Sequence, residues 1–475
     1  MDCCDSEADQ KYDFDLVFIG SGSAAFAGAI KAAELGKTVA IIERGIIGGT
    51  CVNVGCVPSK NLIRAAEAKH KIENSAFDGV PAGKTEIDFK KIIQGKDQLV
   101  SSLRAAKYQS ILDNNELISL IEGQAKFVDP HTLDVSGKKV TADKIIISTG
   151  SSPFIPPIPG LKESGFLTST SAFELKELPK TLAVLGGGYI ALEVAQLFSR
   201  LGSDVTIIQR SEILFQEDDD VSEWMGKYLR EEGIKILNKT QIERVEKSGA
   251  KTILILSGPH ADKQLEVDHI IVATGRKPNT STLNLEAAGV TLNKNATIQV
   301  NEFCQTTQDN IYAAGDVTPS PALVYVAAYE GNLAVENAIN GNVRKADYNT
   351  VPWVIFSDPQ VVGVGLNEAQ AKANNIEYDK SFLTMDNVPR AIAAQDTRGF
   401  IKLLKRTGTD ELIGARIVAP EGSELIMELS LALKYKIPVS ELGAMMHPYL
   451  TASEAVKLAA QTFNKDVKFL SCCAS

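Results

Sequence analysis

The stretch GGTCVNVGCVPSK (48–60) sets two thiols, Cys51 and Cys56, five residues apart among three glycines. Gly48, Gly49 and Gly55 give flexible turns, and Pro58 fits the first turn of a helix continuing through Lys60, Ile63 and Ala66. A thiol at a helix amino end ionises more readily, because the peptide dipoles favour its anion. The thiolate is both a nucleophile and a soft metal ligand. Glycines and a proline describe an exposed turn rather than a packed face, which argues against two inert core cysteines.

A second thiol pair, Cys472 and Cys473, closes the chain in SCCAS. Adjacent Cα atoms lie about 3.8 Å apart, below the roughly 4.4–6.8 Å usual for a disulfide, so the pair is a poor staple. It is a good ligand for a soft metal ion. Cys3 and Cys4 near the start are either an auxiliary ligand pair or part of a linker, and the lone Cys304 reads as an inert buried thiol. Seven unevenly spread cysteines do not resemble a secreted disulfide framework.

A redox dithiol needs an electron supply, and two stretches have the elements to hold one. DLVFIGSGSAAFAGAIKAAELGKTVAIIER reads as strand, glycine turn, helix, strand. Gly20 permits the tight turn, Gly22 lets backbone approach a pyrophosphate, and small residues including Ala24 and Ala25 let the helix pack closely. Glu43 ends the second strand, where a carboxylate accepts hydrogen bonds from a ribose diol, as in FAD. TLAVLGGGYIALEVAQLFSRLGSDVTIIQRS repeats the pattern 166 residues later, with Gly186, Gly188 and Ala191 at corresponding places. Glu43 is there replaced by Gln209, followed by Arg210. The acid that would repel a 2′-phosphate is gone and a cation stands beside it, which suits NADPH.

Each copy closes with a matching strand, KIIISTG through Thr149 to Gly150 and HIIVATG to Gly275. The duplication predicts two dinucleotide domains, one inserted in the other. NIYAAGDV adds Asp316 after a short strand, either an Asx turn or a polar contact to the flavin's sugar or pyrophosphate arm.

The chain has 475 residues, 44% apolar and 23% charged, an ordinary globular composition with room for several domains. Its net charge of −10 argues against a nucleic-acid partner. No apolar run approaches a membrane span, and the start MDCCDSEADQ lacks a signal-peptide layout, so a cytoplasmic protein is expected.

The dual glycine pattern with GGTCVNVGCVPSK resembles the pyridine nucleotide-disulfide oxidoreductases, over essentially the whole chain. Within that family the resemblance is strongest to the mercury(II)-reducing members, through TCVNVGCVPSK, DNVPRA (386–391), DTRGFIKL (396–403), PYLT (448–451), KLAAQTFNKDVK (457–468) and the terminal SCC. It implies an α/β fold: two Rossmann-like dinucleotide-binding domains, for FAD and NADPH, plus a C-terminal α+β dimerisation domain. The expected division is a tail at 1–12, FAD segments at 13–150 and 276–345, an NADPH domain at 151–275, and a dimerisation domain with a metal-binding tail at 350–475. In that last part FIKLLKR and LIGARIV read as strands, and 423–435 and 453–464 as amphipathic helices.

The resemblance also implies roles. Cys51 and Cys56 match the redox-active pair, Cys56 nearer the flavin. Lys60 and Glu193 match an ion pair beside the flavin's reactive nitrogen, and Tyr189 an aromatic gate that moves when the nicotinamide arrives. Gly20, Gly22, Ala24, Ala25, Glu43, Gly49, Thr50, Ala125, Thr149, Gly150, Asp316 and Val324 fall at FAD-contacting places, and Gly186, Gly188, Arg210 and Gly275 serve the second nucleotide. Cys472 and Cys473 match a pair that receives Hg(II), the substrate, in the form of a small-molecule thiol complex. That pair belongs to the other subunit of a homodimer, and Tyr449 lines the same path.

In disulfide-reducing members a His-Pro is followed by a Glu that holds the imidazole. In HPYLTASE, Ala452 stands at the expected spacing and Glu454 comes two residues later, so an acid–base role for His447 is in doubt. The implied activity is NADPH-driven reduction of Hg(II) to Hg(0). A thiol-disulfide reductase is the nearest rival; a metal-sequestering protein is another, but it would need neither nucleotide site.

Overall fold

A computed structural model describes residues 12–261 and 263–470. The expectations for Cys3, Cys4, Cys472 and Cys473 fall outside these residues. The chain divides into two units, each built from three separate stretches of sequence: 1–58, 95–153 and 276–346 in the first, 59–94, 154–275 and 347–475 in the second.

The first unit is organised by a parallel sheet. Phe14–Ile19 lies between Val39–Glu43 and Lys138–Ile147; Ile118–Glu122 adds to one edge and Ile311–Ala313 pairs with Lys138–Ile147. Leu16, Val17, Phe18 and Ile19 are all buried. Burial on both faces explains why this strand is a continuous apolar run rather than an alternating one. The helix Ser23–Glu34 follows the glycine turn and crosses the helix Val324–Asn340 at backbone contact. A Cβ on Gly331 would stand 2.1 Å from the Ala24 carbonyl oxygen, and one on Gly28 would stand 2.8 Å from that of Gly331. Small residues at Ala24, Ala25, Gly28 and Ala29 permit this approach.

In the second unit, Thr181–Leu185 lies between Asp204–Ile208 and His269–Val272 in another parallel sheet, edged by Lys235–Leu237 and Leu167–Thr168. The helix Tyr189–Leu201 follows its glycine turn as Ser23–Glu34 does in the first unit. The unit also holds a three-stranded antiparallel sheet, Gln241–Ser248, Lys251–Ser257 and Gln264–Val267, and a five-stranded antiparallel sheet in the order Trp353–Ile355, Gln360–Gly365, Leu412–Ala419, Phe400–Arg406, Tyr378–Thr384. Helices Ile426–Tyr435 and Glu454–Gln461 pack their apolar faces on the five-stranded sheet, burying Leu429, Ala455 and Val456 completely. Both are shorter than their sequence patterns predict. Residues 422–424 form a separate 3₁₀ turn, and the second helix ends at Gln461.

Among the described residues no helix is long and apolar enough to cross a membrane.

Candidate active site

The two nucleotide turns are built on the same device. Gly20 has φ +104°, and a Cβ there would stand 2.5 Å from the carbonyl oxygen of Ser148. Gly186 has φ +123°, and a Cβ there would stand 2.4 Å from that of Ala273. In each case only glycine lets the first strand turn beneath the neighbouring strand. Gly22 and Gly188, two residues on, open the following helices and have nothing within 4 Å of an added Cβ, leaving the helix amino ends accessible to an anion.

Glu43 ends its strand where the pattern predicts. Its Oε2 accepts from the Ser21 Oγ at 2.6 Å and the Ser21 amide at 3.1 Å, and its Oε1 accepts from the Gly45 amide at 2.7 Å. With Gly20, Ala125, Thr149 and Asn279 it lines a hollow at the carboxyl ends of the parallel strands, the usual place for a nucleotide in an open α/β sheet. These residues fit an adenosine diphosphate arm: a glycine cradle for phosphate and a carboxylate for the ribose. Gly150 continues the rim, with its carbonyl accepting from the Asn279 amide at 2.9 Å. Asp316 accepts from the Ser151 hydroxyl at 2.8 Å, and Val324 is the first residue of its helix.

In the second unit Gln209 is buried and bonds Ser211 through its amide at 2.8 Å, while Arg210 is exposed beside it. The strand therefore ends without a carboxylate and with an available cation, which fits a phosphorylated ribose. Gly275 follows this copy's closing strand, His269–Val272, with φ +122°.

The dithiol is seated on the first nucleotide turn. Thr50 and Cys51 lie in a short helix, Gly49–Asn53, a helical turn where the glycines predict only a flexible one. Gly49, with φ +64°, abuts Gly22, and the Gly48 amide donates to the Ser21 carbonyl at 3.0 Å. The Asn53 side-chain amide closes this helix onto the Ile47 and Gly49 carbonyls, and Arg104 holds the Asn53 oxygen at 2.9 Å. Cys51 is half-buried; Cys56 is exposed and is the first residue of the helix Cys56–Glu73. Its position at the helix amino end favours the thiolate.

Two neighbours of the dithiol carry no local sequence signature. Tyr108 lies in a π-helical turn, Ala105–Gln109, packed edge-on against Phe26 with ring centres 4.8 Å apart. Burial, then the charge of Cys51, pushes its phenol above the ordinary value, with a smaller contribution from Cys56. Arg276 donates to the Ser151 carbonyl at 2.6 Å and hydroxyl at 2.7 Å. Burial lowers its pKa, opposed by Asp316 and by Cys56. A π-turn and a paired-up arginine are set by packing between distant segments, and only the fold brings them to the thiols.

In the second unit Lys60 donates to Glu193 Oε2 at 2.6 Å, and Glu193 Oε1 accepts from the Phe356 amide at 3.0 Å. Lys60 stands four residues beyond Cys56 on the same helix. Tyr189 opens the helix Tyr189–Leu201, one turn before Glu193, and stacks on Trp353. Tyr449 is half exposed, two residues after His447. His447 does have a carboxylate partner, though neither Ala452 nor Glu454 supplies it: Glu428, on the helix Ile426–Tyr435, holds its Nε2 at 2.8 Å. In the DTRGFIKL motif, Asp396 and Arg398 pair at 2.7 Å and Arg398 reaches Asp358 at 2.8 Å, while Phe400 and Lys402 are buried. Cys304 is buried.

Two dinucleotide folds, one carrying a dithiol on its phosphate turn, define a nucleotide-dependent dithiol oxidoreductase. Residues 14–331 match the model of the pyridine nucleotide-disulphide oxidoreductases and residues 351–460 that family's dimerisation domain. The chain belongs to this family. It is 47% identical to a mercuric reductase of Lysinibacillus sphaericus over 97% of this chain and 85% of that one. A mercuric reductase of Shewanella putrefaciens is 47% identical over 100% of this chain and 86% of that one, and one of Staphylococcus aureus is 45% identical over 97% and 84%. Among solved structures, the Cu(II) complex of the HOCl-induced flavoprotein disulfide reductase RclA from Escherichia coli matches with TM-score 0.84 and 32% identity, covering 93% of this chain and 98% of that one.

Proposed function

We propose that the protein reduces Hg(II) to elemental mercury at the expense of NADPH, with FAD as resident cofactor: NADPH plus Hg(II) gives NADP+, a proton and Hg(0). The observation that carries this reading is similarity to mercuric reductases over 97% and 100% of this chain, in a chain whose Cys51 helix is set against the phosphate turn through Gly49. Hg(II) is soft and prefers thiolate ligands, so the same pair that cycles as a dithiol can hold the ion.

FAD, when bound, supplies two-electron transfer between a nicotinamide and a dithiol. Gly20, Gly22 and Glu43 would hold its adenosine diphosphate arm, and Gly186, Gly188 and Arg210 that of NADPH. Lys60, fixed by Glu193, keeps a positive charge one helical turn beyond Cys56. Tyr189 covers the nicotinamide's place and swings aside on its arrival. Cys472 and Cys473, with Tyr449, would receive thiol-bound Hg(II) and pass it to Cys51 and Cys56 of the other subunit by ligand exchange. Homodimerisation is supported by an apolar stripe on the helix Ile426–Tyr435, where Met427, Leu431 and Tyr435 point outward at four-residue spacing. The protein works in the cytoplasm, where NADPH and small-molecule thiols are at hand.

The test is NADPH oxidation with Hg(II) and excess thiol, with mercury vapour measured. Replacing both Cys472 and Cys473 by Ala should abolish turnover of thiol-complexed Hg(II) while leaving reduction of the flavin by NADPH intact. Unchanged mercury release in that variant would sink the handoff.

The His447–Glu428 pair favours a second reading, disulfide reduction, since a carboxylate-held imidazole is the proton donor a departing thiolate needs. Assaying NADPH oxidation with disulfides beside Hg(II) separates the two.

A further inference from the structure

The gate residue Tyr189 is tied to a second aromatic ring. Its ring lies on that of Trp353, centres 5.3 Å apart and planes 19° from parallel. Trp353 is itself held in place. It pairs with Gly363 on the adjacent strand, and Gly363 pairs with Arg416 on the next, so the three residues form one row across the sheet. A Cβ on Gly363 would stand 2.5 Å from Cζ2 of Trp353; glycine there lets the indole lie flat across the strand. At the end of the row the Arg416 guanidinium sits 5.3 Å from the Trp353 ring centre, and its Nε reaches Glu217 at 2.5 Å. Arg416 is almost fully buried and also donates to the Ala415 carbonyl at 2.8 Å.

The segment that carries Trp353 is pinned to the nucleotide helix at a second point. Three residues on, the Phe356 amide donates to Glu193, and Lys60 stands 4.6 Å from the centre of the Phe356 ring. Residues 353–356 thus touch both Tyr189 and, one turn further, Glu193. A ring that must move aside for the nicotinamide rests on a ring that is clamped by a buried guanidinium.

We infer that Trp353 is a positioning residue for nicotinamide entry: it berths the Tyr189 ring in the shut position, and the nicotinamide enters by breaking the stack. This rests on the reading of Tyr189 as the gate. The stack then taxes nucleotide binding, because only the unstacked fraction is competent. Removing it should tighten NADP+ binding by about two- to twelve-fold, the range expected from the worth of an aromatic pair.

The chain has two tryptophans, so in a Trp224→Phe holoenzyme all tryptophan emission comes from Trp353. Titrating that protein with NADP+ should change its emission, and the change should vanish when Tyr189→Ala is added. Trp353→Leu should lower the NADP+ dissociation constant and the KM for NADPH. Trp353→Phe, which keeps a stacking ring, should restore most of the wild-type affinity and guards against a folding defect in the leucine variant. If Tyr189→Ala changes NADP+ affinity but Trp353→Leu does not, and emission is silent, the gate stands and the berth is overturned. If Tyr189→Ala itself leaves NADP+ affinity and KM unchanged, the gate reading fails and takes the berth with it.

Discussion

Gly49 presses on Gly22 so closely that a Cβ on Gly49 would stand 2.6 Å from the Gly22 Cα. The residue that opens the Cys51 helix and the residue that opens the helix after the phosphate turn share one point of backbone contact. Dithiol position and cofactor binding are thereby coupled. Gly49→Ala places a side chain at φ +64° and against backbone that cannot yield. Strain of this kind costs about 1–3 kcal/mol. The purified variant should carry less FAD, read as a lower ratio of flavin to protein absorbance. Full flavin content would show that the loop yields freely.

How far this site could be read from residue order depends on how local each feature is. Phe14–Ile19 and Thr181–Leu185 are buried on both faces and end in glycine, so strand and turn are both written in consecutive residues. Glu43 and the Gln209–Arg210 pair stand at the ends of such strands and are equally plain. The His447 partner was not, because Glu428 lies on another element and reaches the imidazole only once that helix docks. Tyr108, Arg276 and Trp353 belong with it: common residue types whose neighbours come from far along the chain. The exact ends of the helices near 423–435 and 453–464 were also hidden, since apolar spacing does not mark where a 3₁₀ turn replaces the α-helix.

Lys60 and Glu193 form a pair in which the carboxylate is the more buried partner, 9% exposed against 33%. Lys60→Met leaves Glu193, among the described residues, with the Phe356 amide. In the proposed reaction it also removes the fixed positive charge near the electron acceptor. Stopped-flow reduction by NADPH should slow by roughly 10²-fold, the usual effect of deleting one preorganised electrostatic contact. Lys60→Arg should recover much of the rate. A Met variant with wild-type reduction kinetics would reduce the pair to a structural tie.

His447 separates the two catalytic readings. Its Glu428 bond is 2.8 Å, and its side chain is 7% exposed. Elemental mercury leaves without taking a proton, whereas a thiolate leaving group needs one. His447→Gln should therefore leave mercury release within about twofold while cutting any disulfide turnover by roughly 10²–10⁴-fold. An equal loss of both activities would place His447 on the mercury path.

Lys402 ties the second unit's nucleotide part to its antiparallel sheet. The fully buried ammonium meets Asp218 at 2.7 Å, Asp220 at 2.7 Å and Glu368 at 3.0 Å. Burial works against its charge, but Asp218 and Asp220 outweigh that and raise its pKa. Burial likewise works to raise the Glu368 carboxyl, but its bonds to Lys402 and Tyr378 bring it from 4.5 down to about 2. A depressed folded-state pKa gives stability that is complete above the unfolded value and is lost as pH falls toward the folded one. The wild-type protein should therefore lose this contribution between about pH 4.5 and 2. Lys402→Met strands Asp218 and Asp220 without their cation, while Glu368 keeps Lys380 at 3.2 Å, and removing one partner of a buried ion pair costs about 3–5 kcal/mol at neutral pH. In that variant protonation relieves the repulsion, so the gap to wild type in urea midpoint should narrow as pH falls below about 4.5. A gap that stays constant from pH 7 to pH 3 would mean that lost packing around the lysine stem, and not charge, causes the defect.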